Sequence, residues 1–307
     1  MHDNKIVVCD SEEAWLKERF QGVGGSDAAT VMGANKWNST YSLWALRTGL
    51  TTDDSEQSEP AFWGTLMEAP IRDHFRRCYE IEVVEDESFS MRLDPEHDFL
   101  RASLDGLIPP NQDMSKLPFE VDSSAWGVYE GKTASQYMTE YWVDGPPSNY
   151  YYQVQHYMMV TGAGYAIIST LFGGNHYEVY LVKKDEGVIE IMREAELDFW
   201  RRIQEKDSPE VDGHTETTST LNSIYDPDPE NEINFTDEAG QWDDRIQVLK
   251  GVIAESTDEK KKLENQLRSE LGHATVGYLP SGKHKWTYKA SKKRSGEITR
   301  TLRRSRA

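Results

Sequence analysis

Glu130 and Lys132 stand two residues apart in Tyr129-Glu130-Gly131-Lys132, downstream of Leu104-Asp105-Gly106. On a strand, side chains two apart share a face, so both would project into one site with the Gly131 carbonyl beside them. An Asp and a Glu can share a divalent metal, and a Lys can orient or deprotonate a water. Phosphodiester hydrolysis needs an activated water, charge stabilisation at phosphorus and help for the leaving oxygen, which one or two Mg²⁺ ions supply. Mg²⁺ takes oxygen ligands and keeps several waters, so two or three carboxylates suffice. Asp105 and Glu130 are the candidate ligands, and Lys132 the candidate contact to water or phosphate. The spacing alone has a bland reading. Glu259-Lys260-Lys261 repeats it in a polar helical stretch, and Asp-Gly recurs at Asp144 and Asp212, where turn formation explains it.

The elements that must position these residues are legible in the pattern. Ser11 reads as an N-cap for a helix over 11–20, and Gly22 to Ala29 as a Gly-rich turn entering a second helix. A third opens at Ser39 and ends at Gly49. Phe62, Leu66, Ile71 and Phe75 predict an amphipathic helix from Ala61 to Tyr79, interrupted at Pro70. Strands are expected at 81–85, 88–93, 99–105 and 127–132, with a loop at 109–125. A helix follows at Asn149–Val160. A strand pair, 165–172 and 176–183, turns about Gly173-Gly174-Asn175, and a long helix runs from Asp185 to Lys206. Helices flanking a central mixed sheet make the expected fold α/β (α+β).

The first 206 residues read as one domain. Residues 207–236, rich in Pro, Asp, Glu, Ser and Thr, read as an acidic linker. A helical and hairpin extension is expected over 237–290, and a basic, mobile tail over 291–307. From Lys283 onward there are ten Lys/Arg and one acid, so this end carries +9 and the rest −28 of a net −19. Cys9 and Cys78 are far apart and outside any CxxC, which argues against zinc or iron–sulfur chemistry and for a reducing cytoplasm. No apolar run approaches membrane-spanning length, and the N-terminus lacks a secretory pattern.

The order of motifs resembles the lambda-exonuclease/YqaJ group of phage recombination nucleases within the PD-(D/E)xK superfamily. The resemblance rests on Gly22-Val23-Gly24-Gly25-Ser26-Asp27-Ala28-Ala29, Trp63-Gly64-Thr65-Leu66-Met67-Glu68, Ser103-Leu104-Asp105-Gly106, Glu130-Gly131-Lys132 and the block Tyr150 to Gly162, within residues 11–203. It implies a restriction-endonuclease-like core and a Mg²⁺-dependent exonuclease, with Mn²⁺ substituting. Such an enzyme acts on duplex DNA ends from 5′ to 3′ and leaves 3′ overhangs for a single-strand annealing protein. It implies metal ligation by Asp105, Glu130 and the Gly131 carbonyl, with Glu68 at a second metal or its water shell. Lys132 would activate water, and Gln153 would orient Lys132 or the phosphate. Arg19 and Ser26 would bind the 5′-phosphate. A homo-oligomer, in lambda-type members a ring trimer, and a phage or prophage protein in bacterial cytoplasm are also implied. Gly131 departs from the usual apolar residue, which puts a regular strand in question there.

Further DNA contacts are expected from Tyr150, Trp286, Lys292, Lys293 and Arg294, through aromatic stacking and phosphate contact. Two rivals stand beside this reading. One is an endonuclease of the same superfamily; the other is a non-catalytic acidic DNA mimic, given the −28 body.

Overall fold

Local capping rules start the chain as expected. In the computed structural model, which describes residues 1–52, 58–292, 295 and 297–307, strand β1 (Ile6–Val8) precedes helix α1 (Glu12–Arg19). The Ser11 hydroxyl accepts the Ala14 N–H at the start of that helix. Strand β2 (Val23–Gly24) runs directly into α2 (Gly25–Val31), and α3 (Thr40–Arg47) is capped by Ser39. Helix α4 (Glu59–Tyr79) continues through Pro70, where an interruption was expected. Pro70 and Leu66 are exposed, so the Leu66 carbonyl left without a donor faces water.

Strands β3 (Ser90–Leu93), β4 (Leu100–Ala102), β5 (Gly106–Ile108) and β6 (Gly127–Ala134) follow, then helix α5 (Ser148–Thr161). Strands β7 (Tyr165–Phe172) and β8 (His176–Lys183) lead to α6 (Glu186–Glu205) and α7 (Thr215–Ile224). There are two four-stranded sheets, ordered β1-β3-β4-β2 and β5-β6-β7-β8. The second is mixed. β6 and β7 pair in parallel, joined through α5, while β7 and β8 form an antiparallel hairpin whose turn uses Gly173 and Gly174 at positive φ. Helices flank the sheets, as the sequence predicts.

Two expected strands change. Residues 81–85 contribute one bridge, Val84 to Leu107. The segment 99–105 is not a single strand: Leu100–Ala102 belongs to one sheet, and the chain enters the other at Gly106. Ser103-Leu104-Asp105 is the crossing between them. The hydrophobic pattern shows extended chain but not which neighbour it pairs with.

Strand alternation on β6 separates two cores. Val128 packs with Ile168, Val154, Met158 and Trp44 in one cluster. Tyr129 packs with Phe75, Ile167 and Tyr165 in the other, which Met114 and Leu117 of the 109–125 loop help to cover. Glu130 and Lys132 share the parity of Val128, while Gly131 shares that of Tyr129.

The stretch read as a linker contains α7. Thr217 Oγ1 donates to Ser39 Oγ at 2.7 Å, and Thr220 Oγ1 to Ser42 Oγ at 2.8 Å, so hydroxyl pairs dock a helix that has few apolar residues. The chain divides into compact units Met1–Pro227 and Asp228–Ala307. The second unit holds α8 (Asp237–Leu271) and the antiparallel strands β9 (Val276–Tyr278), β10 (His284–Lys292) and β11 (Ile298–Arg306), ordered β11-β10-β9. The final segment, expected to be mobile, pairs with β10 from Lys292↔Ile298 to His284↔Arg306. Its Thr, Ile and Leu residues suit a pleated strand. Among the described residues, no helix is long and apolar enough to cross a membrane.

Candidate active site

Asp105 owes its position to the crossing between sheets, not to the end of a strand. Its Oδ2 accepts the Gly131 N–H at 2.7 Å, while Arg72 Nη1 donates to its backbone carbonyl at 3.0 Å. Arg72 lies one turn after Glu68 on α4 and also pairs with Glu85. The acid side chain is thus tied to β6, and its backbone to α4.

Glu130 is 2 % exposed. Its Oε1 accepts from Lys132 Nζ and, at 2.8 Å, from Gln153 Nε2. Gln153 Nε2 also donates to the Tyr157 hydroxyl oxygen at 2.9 Å. Gln153 and Tyr157 are four apart on α5, so one helix face presents both. Lys132 Nζ lies 5.2 Å from the centroid of the Tyr150 ring, within cation–π range. The structure therefore brings Asp105, Glu130, Lys132, Gln153 and Tyr150 into one constellation. Arg72 and Tyr157 are the supporting residues that residue type alone did not single out. Both sit four residues after a predicted site residue on a helix, and that spacing is the signal available for them.

Glu68 completes the acidic side. Burial, and then the charge of Asp105, push its carboxyl up to about 7, against opposing pulls from Lys132 and Arg72. Burial likewise raises Glu130 to about 8, with Asp105 adding to it. Asp105 is raised by burial, although Lys132, the Gly131 N–H and Arg72 pull it down. Burial disfavours the Lys132 ammonium, but Glu130 and Asp105 outweigh it and hold the group charged.

Gly131 leaves the strand regular. β6 pairs with β7 without a break from Gly127↔Tyr165 to Ala134↔Phe172. A Cβ at position 131 would sit 3.6 Å from Asp105 Oδ2 and 3.8 Å from the Glu68 carbonyl, ordinary contacts. Gly25 is different, because a Cβ there would meet Tyr157 Cε1 at 2.4 Å. That close approach sets the Gly-rich turn against Tyr157, and so one ring from Gln153. There Arg19 Nη2 donates to Ser26 Oγ, and the Arg19 guanidinium stacks 5.3 Å from the Trp15 centroid. Asp27 accepts the Gly24 N–H at 3.1 Å and pairs with Arg47.

Glu130 Oε2 is buried and has no hydrogen-bond partner among the described residues. A buried carboxylate oxygen without a partner is costly, and a cation would remove the cost. Among the described residues no three His, Cys, Asp or Glu side chains converge as a ready-made cage. The donors on offer are instead the carboxylates of Asp105 and Glu130, hard oxygens of the kind Mg²⁺ takes.

His156, on the same helix, is fully buried and serves the scaffold. Its Nδ1 meets Glu196 Oε1 at 2.9 Å, and its Nε2 meets the Arg101 carbonyl at 2.9 Å. The Arg101 carbonyl requires a proton on Nε2, and a proton on Nδ1 as well would make the ring cationic. Burial opposes that charge, but Glu196 outweighs it and raises the ring's pKa. Trp286 and Lys292 lie in the second unit, and Lys293 and Arg294 lie outside the described residues.

Residues 14–164 match the model of the YqaJ-like viral recombinase domain. Over 281 residues the chain is 29 % identical to the uncharacterized protein YqaJ of Bacillus subtilis strain 168, covering 90 % of this chain and 83 % of that protein. Among solved structures, an alkaline exonuclease from Laribacter hongkongensis superposes with a TM-score of 0.48 at 20 % identity, over 63 % of this chain and 93 % of its own. A phage-related exonuclease from Haemophilus somnus 129PT gives 0.41 at 13 % identity, over 61 % and 96 %.

Proposed function

From the match of residues 14–164 to the YqaJ-like viral recombinase domain, we propose a Mg²⁺-dependent DNA exonuclease. It degrades one strand of a duplex from the 5′ end and leaves a 3′ single strand for an annealing protein. The observation that supports this reading best is the buried Glu130 carboxylate. One of its oxygens is held by Lys132 and Gln153, and the other is without a partner among the described residues, with Asp105 anchored to the intervening Gly131 N–H.

Asp105, Glu130 and the Gly131 carbonyl would hold Mg²⁺, or Mn²⁺ in its place, with Glu68 at the water shell. When bound, the ion supplies Lewis-acid polarisation of the phosphoryl oxygen and a more acidic water. Lys132 is held as an ammonium and is poorly suited to take a proton. Its role is to orient the attacking water and to offset charge at the scissile phosphate. Gln153 fixes the Glu130 carboxylate. The coupled Arg19 and Ser26, beside the N-terminus of α2, receive the 5′-phosphate of the end being cut. The working form is a homo-oligomer, a ring trimer in the lambda-type arrangement, acting for a phage or prophage in bacterial cytoplasm.

The test is digestion of linear duplexes phosphorylated at one chosen 5′ end, with Mg²⁺, Mn²⁺ or chelator, beside closed circular DNA. Shortening from the phosphorylated end that requires metal and spares circles is expected. Cleavage of circles would favour the endonuclease instead. No degradation with either metal would remove the enzymatic reading and favour the acidic mimic.

A further inference from the structure

The second unit presents a sheet whose two faces differ in chemistry. Residues opposite one another across antiparallel strands share a face. One face carries Trp286, Tyr288 and Leu302, all partly buried, with Arg300 stacked 3.8 Å from the Tyr288 ring centroid; Lys292, Arg304 and Arg306 lie on the same face and are exposed. The end of α8 packs there, since a Cβ on Gly277, the partner of Trp286, would meet Leu271 Cδ2 at 2.8 Å. Trp286 is partly buried on the face that Leu271 approaches, and the Tyr288 ring is covered by Arg300.

The other face is exposed at Tyr278, Lys289, Ser291, Thr301, Arg303 and Ser305 and partly buried at Val276, Lys285, Thr287 and Thr299. Its rows run Tyr278, Lys285 and Ser305; then Val276, Thr287 and Arg303; then Lys289 and Thr301; then Ser291 and Thr299. Neither β10 nor β11 contains an acidic residue. Lys285, Lys289 and Arg303 line a track, with hydroxyls between them. Same-face residues on a strand recur every ~6.7 Å, so Lys285 and Lys289 are about 13 Å apart. At the edge of this track Tyr278 is 69 % exposed and in register with Lys285.

We infer that this face binds single-stranded DNA, its cations and hydroxyls taking phosphates and Tyr278 stacking on a base. Cations alone would serve any polyanion; an exposed ring beside them is what single-strand platforms add. The choice of DNA rests on the nuclease reading, whose product is a single strand. The surface belongs to the second unit, whereas Glu130 and its partners belong to the first, and it binds without metal.

The test uses the full-length chain in chelator, so that cleavage plays no part. Binding of a labelled oligo-dT, a blunt hairpin duplex and anionic vesicles is measured over a salt series. For oligo-dT, Lys285→Gln/Lys289→Gln/Arg303→Gln should lower the slope of log affinity against log salt by about 2. Tyr278→Ala should weaken oligo-dT binding roughly fivefold or more with the slope unchanged, and Tyr278→Phe should retain it. Duplex binding should ignore Tyr278. An unchanged slope in the triple variant overturns the inference. So does an equal response of duplex and single strand with no role for Tyr278, or a triple variant that loses only vesicle binding. Loss of thermal stability with DNA affinity intact would show instead that the basic face pairs with acidic parts of the same chain. Because binding is read without metal, a protein that binds as described yet degrades nothing would leave this inference standing and remove the nuclease reading.

Discussion

Glu130-Gly131-Lys132 and Glu259-Lys260-Lys261 place the same two charge types at the same spacing. On β6, the two side chains share a face and meet, with Glu130 buried and Lys132 19 % exposed. On α8, residues two apart point to different sides, Glu259 and Lys261 are both exposed, and the intervening Lys260 reaches Glu264 one turn on, at 3.8 Å. Burial is what sets the first pair apart. It raises the carboxylate, deprives one oxygen of a partner and makes the neighbouring ammonium the compensating charge. The second pair has water to do all of this.

The largest effect expected from that contrast is on activity. Glu130→Gln should reduce DNA degradation on the order of a thousandfold, since the proposed metal ligand is lost, while Glu259→Gln leaves the rate unchanged. Equal rates in the two variants would break the comparison and the site with it.

Gln153→Ala sharpens it one step outward. Removing the donor that orients Glu130 should cost roughly 10- to 100-fold in metal affinity or rate, read as a higher Mg²⁺ requirement with DNA binding preserved. A variant with the wild-type Mg²⁺ requirement would show that Lys132 alone fixes the carboxylate.

Burial also predicts a pH dependence. Glu130 is pushed up to about 8 from an ordinary carboxylate near 4.5. Between those values the folded state holds a proton that the unfolded chain has released, so its contribution to stability is present below about 4.5 and is lost as pH rises through 8. In chelator, the melting temperature of the wild type should fall over this window, relative to Glu130→Gln, by several degrees. Mg²⁺ competes with the proton and should bind more tightly as pH rises. Parallel melting curves for the two proteins would count against a buried, raised Glu130.

The smallest effects separate two glycines. Gly25→Ala drives a methyl into the Tyr157 ring and should cost about 1–3 kcal/mol in a denaturant titration. Gly131→Ala meets only ordinary contacts and should gain about 0.5–1 kcal/mol from the stiffer chain, with activity within a few-fold. A large loss from Gly131→Ala would mean that the backbone there needs freedom the regular strand does not show.

Much of the fold was legible. Helices α5, α6 and α8 and the β7–β8 hairpin follow from periodicity, caps and paired glycines, because those signals are local. Residue types and spacing also singled out Glu130 and Lys132, and the resemblance added Gln153. Other features depend on distant partners. Continuous extended character over 99–105 concealed a change of sheet, and so placed Asp105 on a strand rather than at the crossing. Polar composition concealed α7, whose threonines dock on Ser39 and Ser42. The basic C-terminal segment read as a mobile tail because nothing local shows that its alternation matches β10.

By itself the sequence determined, through strand parity, that Glu130 and Lys132 face one way and Gly131 the other. Parity and periodicity are properties of one segment and need no neighbour. Only the tertiary structure decided that Asp105 reaches the Gly131 N–H, that Gln153 rather than solvent holds Glu130, and that Tyr157 links the Gly-rich turn to the site. Each of these joins residues far apart in the chain. Whether a carboxylate is solvated or buried beside a lysine depends on what the rest of the chain packs around it, and that environment separates Glu130 from Glu259.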